Sequence, residues 1–353
     1  MRYEAAPVKP STPFRRLSCL ALCLGSAFAT APVLADALNV YTIRHHDSHD
    51  ALYDAFSERT GIDVNVQEIE FERLLEHAEG RNRINDADLA VIVDAVRLHQ
   101  ATEKGLFDRT SSATLNERLP ESVRHPQGEW FGFGQRTRVV FYDPRDVQAD
   151  EIREYADLAD PRFEGQICVR SSSNTYNQAL LASIVAHEGE EAAEAWAQGI
   201  VNNMARAPEG GDRDQISAVA DGTCNIAIAN HYYHVRMMKG GDAEQRAAAE
   251  QVAIAFPEQG EGQRGAHMNV VGMGVMAGAP HRDNAVRFME FMTTAPAQQL
   301  FVQDSYDYPV VAGVAPADAV TALGTFKKDT LVASELGEHL QTANEIFERV
   351  GWQ

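Results

Sequence analysis

Lysine is almost missing from this 353-residue chain. Lys9, Lys104, Lys239, Lys327 and Lys328 are the whole set, and Lys and Arg together number 31 against 51 Asp and Glu. The formal net charge of −20 at pH 7 argues against nucleic acid and anionic membrane as partners, because both need a basic face. It raises the local concentration of cations, but only diffusely and less so in salt. A Lys-poor acidic surface suits a salty habitat, and a solvated acidic surface with no further role accounts for it equally. Cysteine is scarce as well, with four in all. Beyond Ala35 there is no apolar run long enough to cross a bilayer, so no membrane-spanning segment is expected in that part of the chain.

The N-terminus reads as an export signal. Arg15-Arg16 precede an apolar stretch from Leu17 to Ala29, and Val33-Leu34-Ala35 fits a small-residue cleavage site. Residues 1–35 are therefore set aside as a signal peptide with a leader, Met1 to Phe14, longer than usual. Leu22 before Cys23 is too large for a lipid-attachment site, and Cys19 comes too early in the apolar run. A soluble exported protein is expected. The segment removed carries Arg2, Lys9, Arg15 and Arg16 against Glu4, so the mature chain is more acidic still.

Cys168 and Cys224 survive processing, each on an apolar strand. An oxidising compartment permits a disulfide between them, with a buried pair of free thiols as the alternative. Nothing beside either residue would depress its pKa for catalysis.

Strand-like and helical runs alternate along the mature chain. Leu38–Ile43 reads as a strand followed by a helix from about His49 to Arg59; Ile62–Ile69 and Leu89–Val93 as strands; Ala95–Glu103 as a helix ended by Gly105. After Gly132-Phe133-Gly134, the run Thr137–Tyr142 reads as a crossover strand. A second set follows: strand Gln166–Arg170, helices near Gln178–Ala186, Glu191–Gly199 and Asp214–Ala220, and strand Cys224–Ala229. Val252–Phe256 is the expected return crossover and Val270–Met276 a further strand. Such β-α order predicts an α/β fold of mostly parallel sheets with helices on both faces. The chain divides into two lobes, 36–137 with 256–308 and 138–255 with 309–353, around a hinged cleft where pockets are common.

Three clusters fall at strand ends, where open α/β sheets bind ligands. Arg44-His45-His46 follows the first strand. Tyr176 follows Gln166–Arg170 through a Ser171-Ser172-Ser173-Asn174 turn. Tyr232-Tyr233, flanked by His231 and His234, ends the apolar run Asn225–Asn230. Taken singly, each has an ordinary explanation: a cleft-wall tyrosine, a turn with an exposed imidazole, one core phenol beside one surface phenol. Together they look like a site for a hard, highly charged metal ion. A phenol with a pKa of about 10 is a poor ligand until a cation displaces its proton. Two or three phenolates offset the charge of Fe³⁺ far better than imidazoles do, and softer ions would call for Cys or Met. Asp94, after Leu89–Val93, is expected to cap a helix. His49 lies four residues beyond His45, the spacing of a two-imidazole zinc clamp, but no Glu completes a His-Glu-x-x-His protease motif.

Five segments carry a resemblance: Arg44-His45-His46-Asp47, the run Arg170 to Gln178, Gly210-Gly211-Asp212, Ala229 to Tyr233, and Tyr308-Pro309-Val310-Val311. In order, over nearly all the mature chain, they resemble the periplasmic ferric-iron-binding proteins of bacterial ABC importers. The resemblance implies a two-lobed periplasmic-binding fold (type II-like), capture of Fe³⁺ as the transported ligand in the cleft, delivery to an ABC permease of the inner membrane, and no catalysed reaction. It implies a monomer in the periplasm. By position it makes His45, Tyr176, Tyr232 and Tyr233 metal ligands. The closest branch usually has Tyr after the histidine; here His46 stands in that place, one negative charge fewer. Some members complete the shell with carbonate or phosphate, and Arg136 and Arg138 are candidates to hold such an anion, against ordinary solvation at a strand edge. The rival readings are a binding protein for another small solute, with the tyrosines as stacking walls, and an exported metalloenzyme.

Overall fold

The computed structural model describes residues 37–44 and 49–353. The signal peptide and the proposed ligands His45 and His46 lie outside the described residues. Nine strands form one sheet: β1 Ala37–Thr42, β2 Asp63–Glu68, β3 Leu89–Val93, β4 Phe131–Tyr142, β5 Ile167–Cys168, β6 Ile226–Asn230, β7 Ala253–Ala255, β8 Met268–Val275 and β9 Tyr308–Pro309. Their order is β2-β1-β3-β8-β4-β6-β5, with β7 and β9 added to β4. Pairings β1·β2, β1·β3 and β5·β6 are parallel. Those of β8 with β3 and of β4 with its partners are antiparallel. The sheet is therefore mixed.

β4 divides the molecule. Its first half, Phe131 to Thr137, pairs with β8, and its second half, Arg138 to Tyr142, pairs with β6. The strand is almost wholly buried, so each half can be the centre of its own lobe. One core gathers Leu38, Val40, Leu89, Phe131, Phe133, Val270 and Phe288. In the second half the side chains alternate between two further cores: Val140 and Tyr142 pack with Ile226, Ile228 and Trp196, while Val139 and Phe141 pack with Ile216, Ala227 and Ala229. The helix Thr175–Glu188 buries every residue from Ala179 to Val185, as a helix apolar on all sides must.

The return crossing differs from expectation. The Val252–Phe256 segment supplies β7, which pairs with the second half of β4. The chain crosses back at His267, whose carbonyl accepts from the Arg138 N–H at 3.3 Å. Antiparallel pairing holds β7 to the second half of β4, and an apolar run alone does not specify its partner. Both crossing segments meet the Tyr155 hydroxyl. It donates to the Arg138 carbonyl at 2.6 Å and accepts from the His267 N–H at 3.1 Å.

Gly134 shows how close the lobes' elements approach the centre. A Cβ there would lie 3.1 Å from Asp307 Oδ2 and from the Phe301 ring. Any larger residue would displace the carboxylate from the cleft.

Candidate metal centre

β5 and β6 are parallel neighbours, so their C-terminal ends open on the same side, and a helix starts at each. Asn174 caps the helix Thr175–Glu188 by accepting from the Tyr176 N–H at 3.1 Å. Asn230 precedes the helix His231–Lys239. Tyr176, Tyr232 and Tyr233 therefore stand in the first turns of two helices rather than on strands. That position favours anions, because first-turn N–H groups and the helix dipole point outward there. The Tyr232 and Tyr176 hydroxyls are 3.3 Å apart, and the Tyr232 and Tyr233 ring centres 4.4 Å apart. The three phenols predicted from the sequence thus converge.

Arginines surround them. Arg136, Arg138 and Arg170 lie 5.6, 5.8 and 5.6 Å from the Tyr176 ring centre. Arg44 and Arg236 lie 5.5 and 4.8 Å from that of Tyr232. Burial raises the Tyr232 phenol, but Arg44 and Arg136 outweigh it and bring its pKa below 10. Tyr176 and Tyr233 are raised, first by burial and then by the charge of Tyr232. Of the three phenols, Tyr232 is therefore the one whose ionisation the surrounding charges favour, and Tyr176 and Tyr233 are the ones they and burial oppose.

Arg136 and Arg138 are both 1 % exposed, which rules out solvation at a strand edge. They differ in pairing. Arg138 bonds Asp212, Asn230, Asn177 and the Ile228 carbonyl. Arg136 faces Asp94 at 3.6 Å, and its three guanidinium nitrogens have no hydrogen-bond partner among the described residues. Of the two anion candidates, Arg136 is the one with donors to offer. Between the first lobe's strand ends and Tyr232 lies a cavity of about 20 Å³, lined by Arg44, Arg136, Arg236 and Asp307 among others.

Sequence reasoning missed the carboxylates that fix this charge array. Asp212, 1 % exposed, accepts from Arg138 at 3.1 Å, from Arg170 at 3.2 Å and from the Asn230 N–H at 2.7 Å. The Gly210-Gly211-Asp212 motif was its signal. Asp94 caps its helix, as expected, through Val96 N–H at 2.9 Å, and does so with a left-handed φ of 93°. Its second oxygen accepts from Asn269 at 3.0 Å. His49 is stacked on Phe301 at 4.8 Å between ring centres, which accounts for it without a zinc clamp. His234 bonds the Ala249 carbonyl. Cys168 and Cys224 are joined by a disulfide, tying β5, which leads to Tyr176, to the approach of β6.

His231 lies under the tyrosines rather than at the rim. Its Nδ1 accepts from the Thr137 N–H at 3.3 Å, so Nε2 carries the proton and donates to the Tyr306 carbonyl at 2.8 Å. Burial lowers its pKa to about 3. A histidine held neutral in the fold but free to charge when unfolded stabilises fully only above its unfolded pKa of about 6.5. The stabilisation is lost as the pH falls from there toward about 3, at up to about 1.4 kcal/mol per pH unit. Denaturant unfolding of the metal-free protein between pH 7 and pH 5 should therefore fall less steeply with acid in His231→Asn than in the wild type. Equal slopes would show that His231 is not the group that charges.

Residues 85–325 match the family model described as bacterial extracellular solute-binding protein. Iron uptake protein A1 of Synechocystis is 42 % identical over 325 residues, 92 % of this chain and 90 % of that protein. A Trichodesmium protein solved in complex with iron and citrate ligands superposes with a TM-score of 0.87 at 41 % identity, over 90 % of this chain and 100 % of that one. A ferric binding protein from Campylobacter jejuni gives a TM-score of 0.81 at 32 % identity, over 90 % of this chain and 100 % of that one.

Proposed function

Since the chain belongs to the bacterial extracellular solute-binding protein family, we propose that it captures ferric iron in its interlobe cleft and hands it to an ABC permease of the inner membrane. The observation that carries this reading is the convergence of Tyr176, Tyr232 and Tyr233, with two hydroxyls 3.3 Å apart in a site already stocked with arginine. Three phenolates neutralise a trivalent ion. No other common ion in an oxidising compartment matches three hard anionic oxygens so well. The iron is cargo, bound and released unchanged, and no reaction is catalysed. The relatives' roles in iron uptake and ferric binding support the same cargo.

His45 and His46, next to Arg44, complete the proposed ligand set. Arg136, with its open donors, is the proposed seat of a carbonate or phosphate, and Arg138 supports it through Asp212. With the return crossing at His267, the lobes are 36–137 with 267–308 and 138–266 with 309–353, the segment Ala333 to Leu340 reaching back into the first core. They close by a hinge at Thr137-Arg138 and His267, pinned by Tyr155. In this reading the exported protein works in the periplasm as a monomer. Among the described residues no helix is long and apolar enough to cross a membrane.

Protein purified without chelator should carry iron and show a visible phenolate-to-iron charge-transfer band, or acquire both on addition of ferric ion. Protein that takes up no iron and stays colourless would overturn the reading.

A further inference from the structure

The turn that carries Tyr176 has little structure of its own. Between Arg170 and Asn174 it makes only short-range bonds centred on Ser171: a Ser171–Ser173 hydroxyl contact at 3.0 Å, the Ser173 N–H to the Ser171 hydroxyl at 3.2 Å and the Asn174 N–H to the Ser171 carbonyl at 3.1 Å. Its other supports come from elsewhere. Asn177 donates to the Arg170 and Ser171 carbonyls at 2.9 and 3.2 Å. The remaining two come from residues far along the chain: the Trp352 indole N–H donates to the Arg170 carbonyl at 3.0 Å, and the Ser172 N–H donates to the Gln353 carbonyl at 3.1 Å.

Trp352 is itself firmly placed. It is 3 % exposed and packs edge-on to Phe347 at 5.0 Å and against Trp196 at 6.0 Å between ring centres. The segment leading to it spans both lobes. Ala333, Leu336 and Leu340 belong to the first lobe's core, and Ala343, Ile346, Phe347, Val350 and Trp352 to the second.

We propose that Trp352 and Gln353 are positioning residues for the metal site. They fix the Arg170–Asn174 turn and with it the direction in which Tyr176 meets the metal, and they do so from a helical strap anchored in both cores. This deepens the ferric reading and rests on it. Packing alone would need a large aromatic at 352; positioning needs its N–H donor, since the Arg170 carbonyl faces that nitrogen and the turn's shape depends on where that carbonyl points.

The test separates the two. Trp352→Phe keeps a ring against Phe347 and Trp196 but removes the donor together with part of the indole's bulk, so the Tyr176→Phe background is what separates lost positioning from lost packing. With ferric ion as the probe and citrate as the competitor, its affinity should fall by about three- to tenfold, the range commanded by one neutral hydrogen bond. The charge-transfer band should shift, and the midpoint of thermal unfolding of the metal-free protein should fall by only a few degrees. In a Tyr176→Phe background, adding Trp352→Phe should weaken iron no further, because the residue it positions is gone. An unchanged band and affinity would overturn the proposal. So would a loss of equal size in the Tyr176→Phe background, which would mark a general structural effect. Deleting Gln353 alone, which removes the carbonyl facing Ser172, should give the same pattern more weakly. If the wild-type protein binds no ferric iron at all, it is the ferric reading that fails, an outcome distinct from a wild type that binds and a variant that binds equally well.

Discussion

Changing Tyr232 and Tyr233 to Phe together is expected to remove most of the phenolate-to-iron band, leaving at most the contribution of Tyr176, and to weaken ferric binding by more than about 100-fold. Loss of a group that merely supports a metal ligand commands 10–100-fold, and here two direct donors of negative charge would go. The fold should survive. The Tyr232 hydroxyl's contacts to Tyr176 at 3.3 Å and Asn230 at 3.5 Å are long, and the apolar body of both rings is kept. A stability loss of about 1 kcal/mol is expected. Metal analysis, visible spectrum and urea unfolding on the one variant check all three points, and an unaltered band with full iron content would remove these tyrosines from the site.

The second large effect is expected at Asp212. Its carboxylate takes bonds from two guanidinium groups and a backbone N–H, all within 3.2 Å and almost entirely out of water. Asp212→Ala leaves Arg138 buried and charged with one anion fewer, and Arg170 half-buried and released from its place beside Tyr176. Breaking one partner of a buried ion pair costs about 3–5 kcal/mol. Urea unfolding of the metal-free protein should show a loss in that range, accompanied by weaker iron binding as the arginines redistribute around the phenols. A change below about 1 kcal/mol would mean that water replaces the carboxylate and that the array is not held by Asp212. Tyr232/Tyr233 substitution should remove iron while sparing the fold, and Asp212 substitution should damage both. The two variants therefore separate the donors from the frame that holds them.

Much of this was legible in the sequence because it is local. Strand apolarity and helix punctuation placed β1, β3 and β6 and the helices after β1 and β3, since period and capping act over a few residues. Tyr176, Tyr232 and Tyr233 were found because each follows a strand end, a position set by chain order. The one-residue slip in their setting, first helical turn rather than strand end, arises because the helix His231–Lys239 begins with no linker after Asn230. Its histidines and tyrosines read equally well as a continued strand.

What the sequence by itself determined is the pair of α/β sets, the acidic balance and the three phenols placed after strand ends, all fixed by composition and by neighbours along the chain. Only the tertiary structure decided which strand β7 joins, where the chain crosses back, that Arg136 is buried with open donors while Arg138 is fully engaged, and that Asp212 binds both Arg138 and Arg170. It also brought Trp352 and Gln353 to the turn of Tyr176. The physical reason is common to all of these. Charge pairing and hydrogen bonding between groups dozens to hundreds of residues apart depend on how two lobes pack, and no short-range pattern of hydrophobicity records that packing.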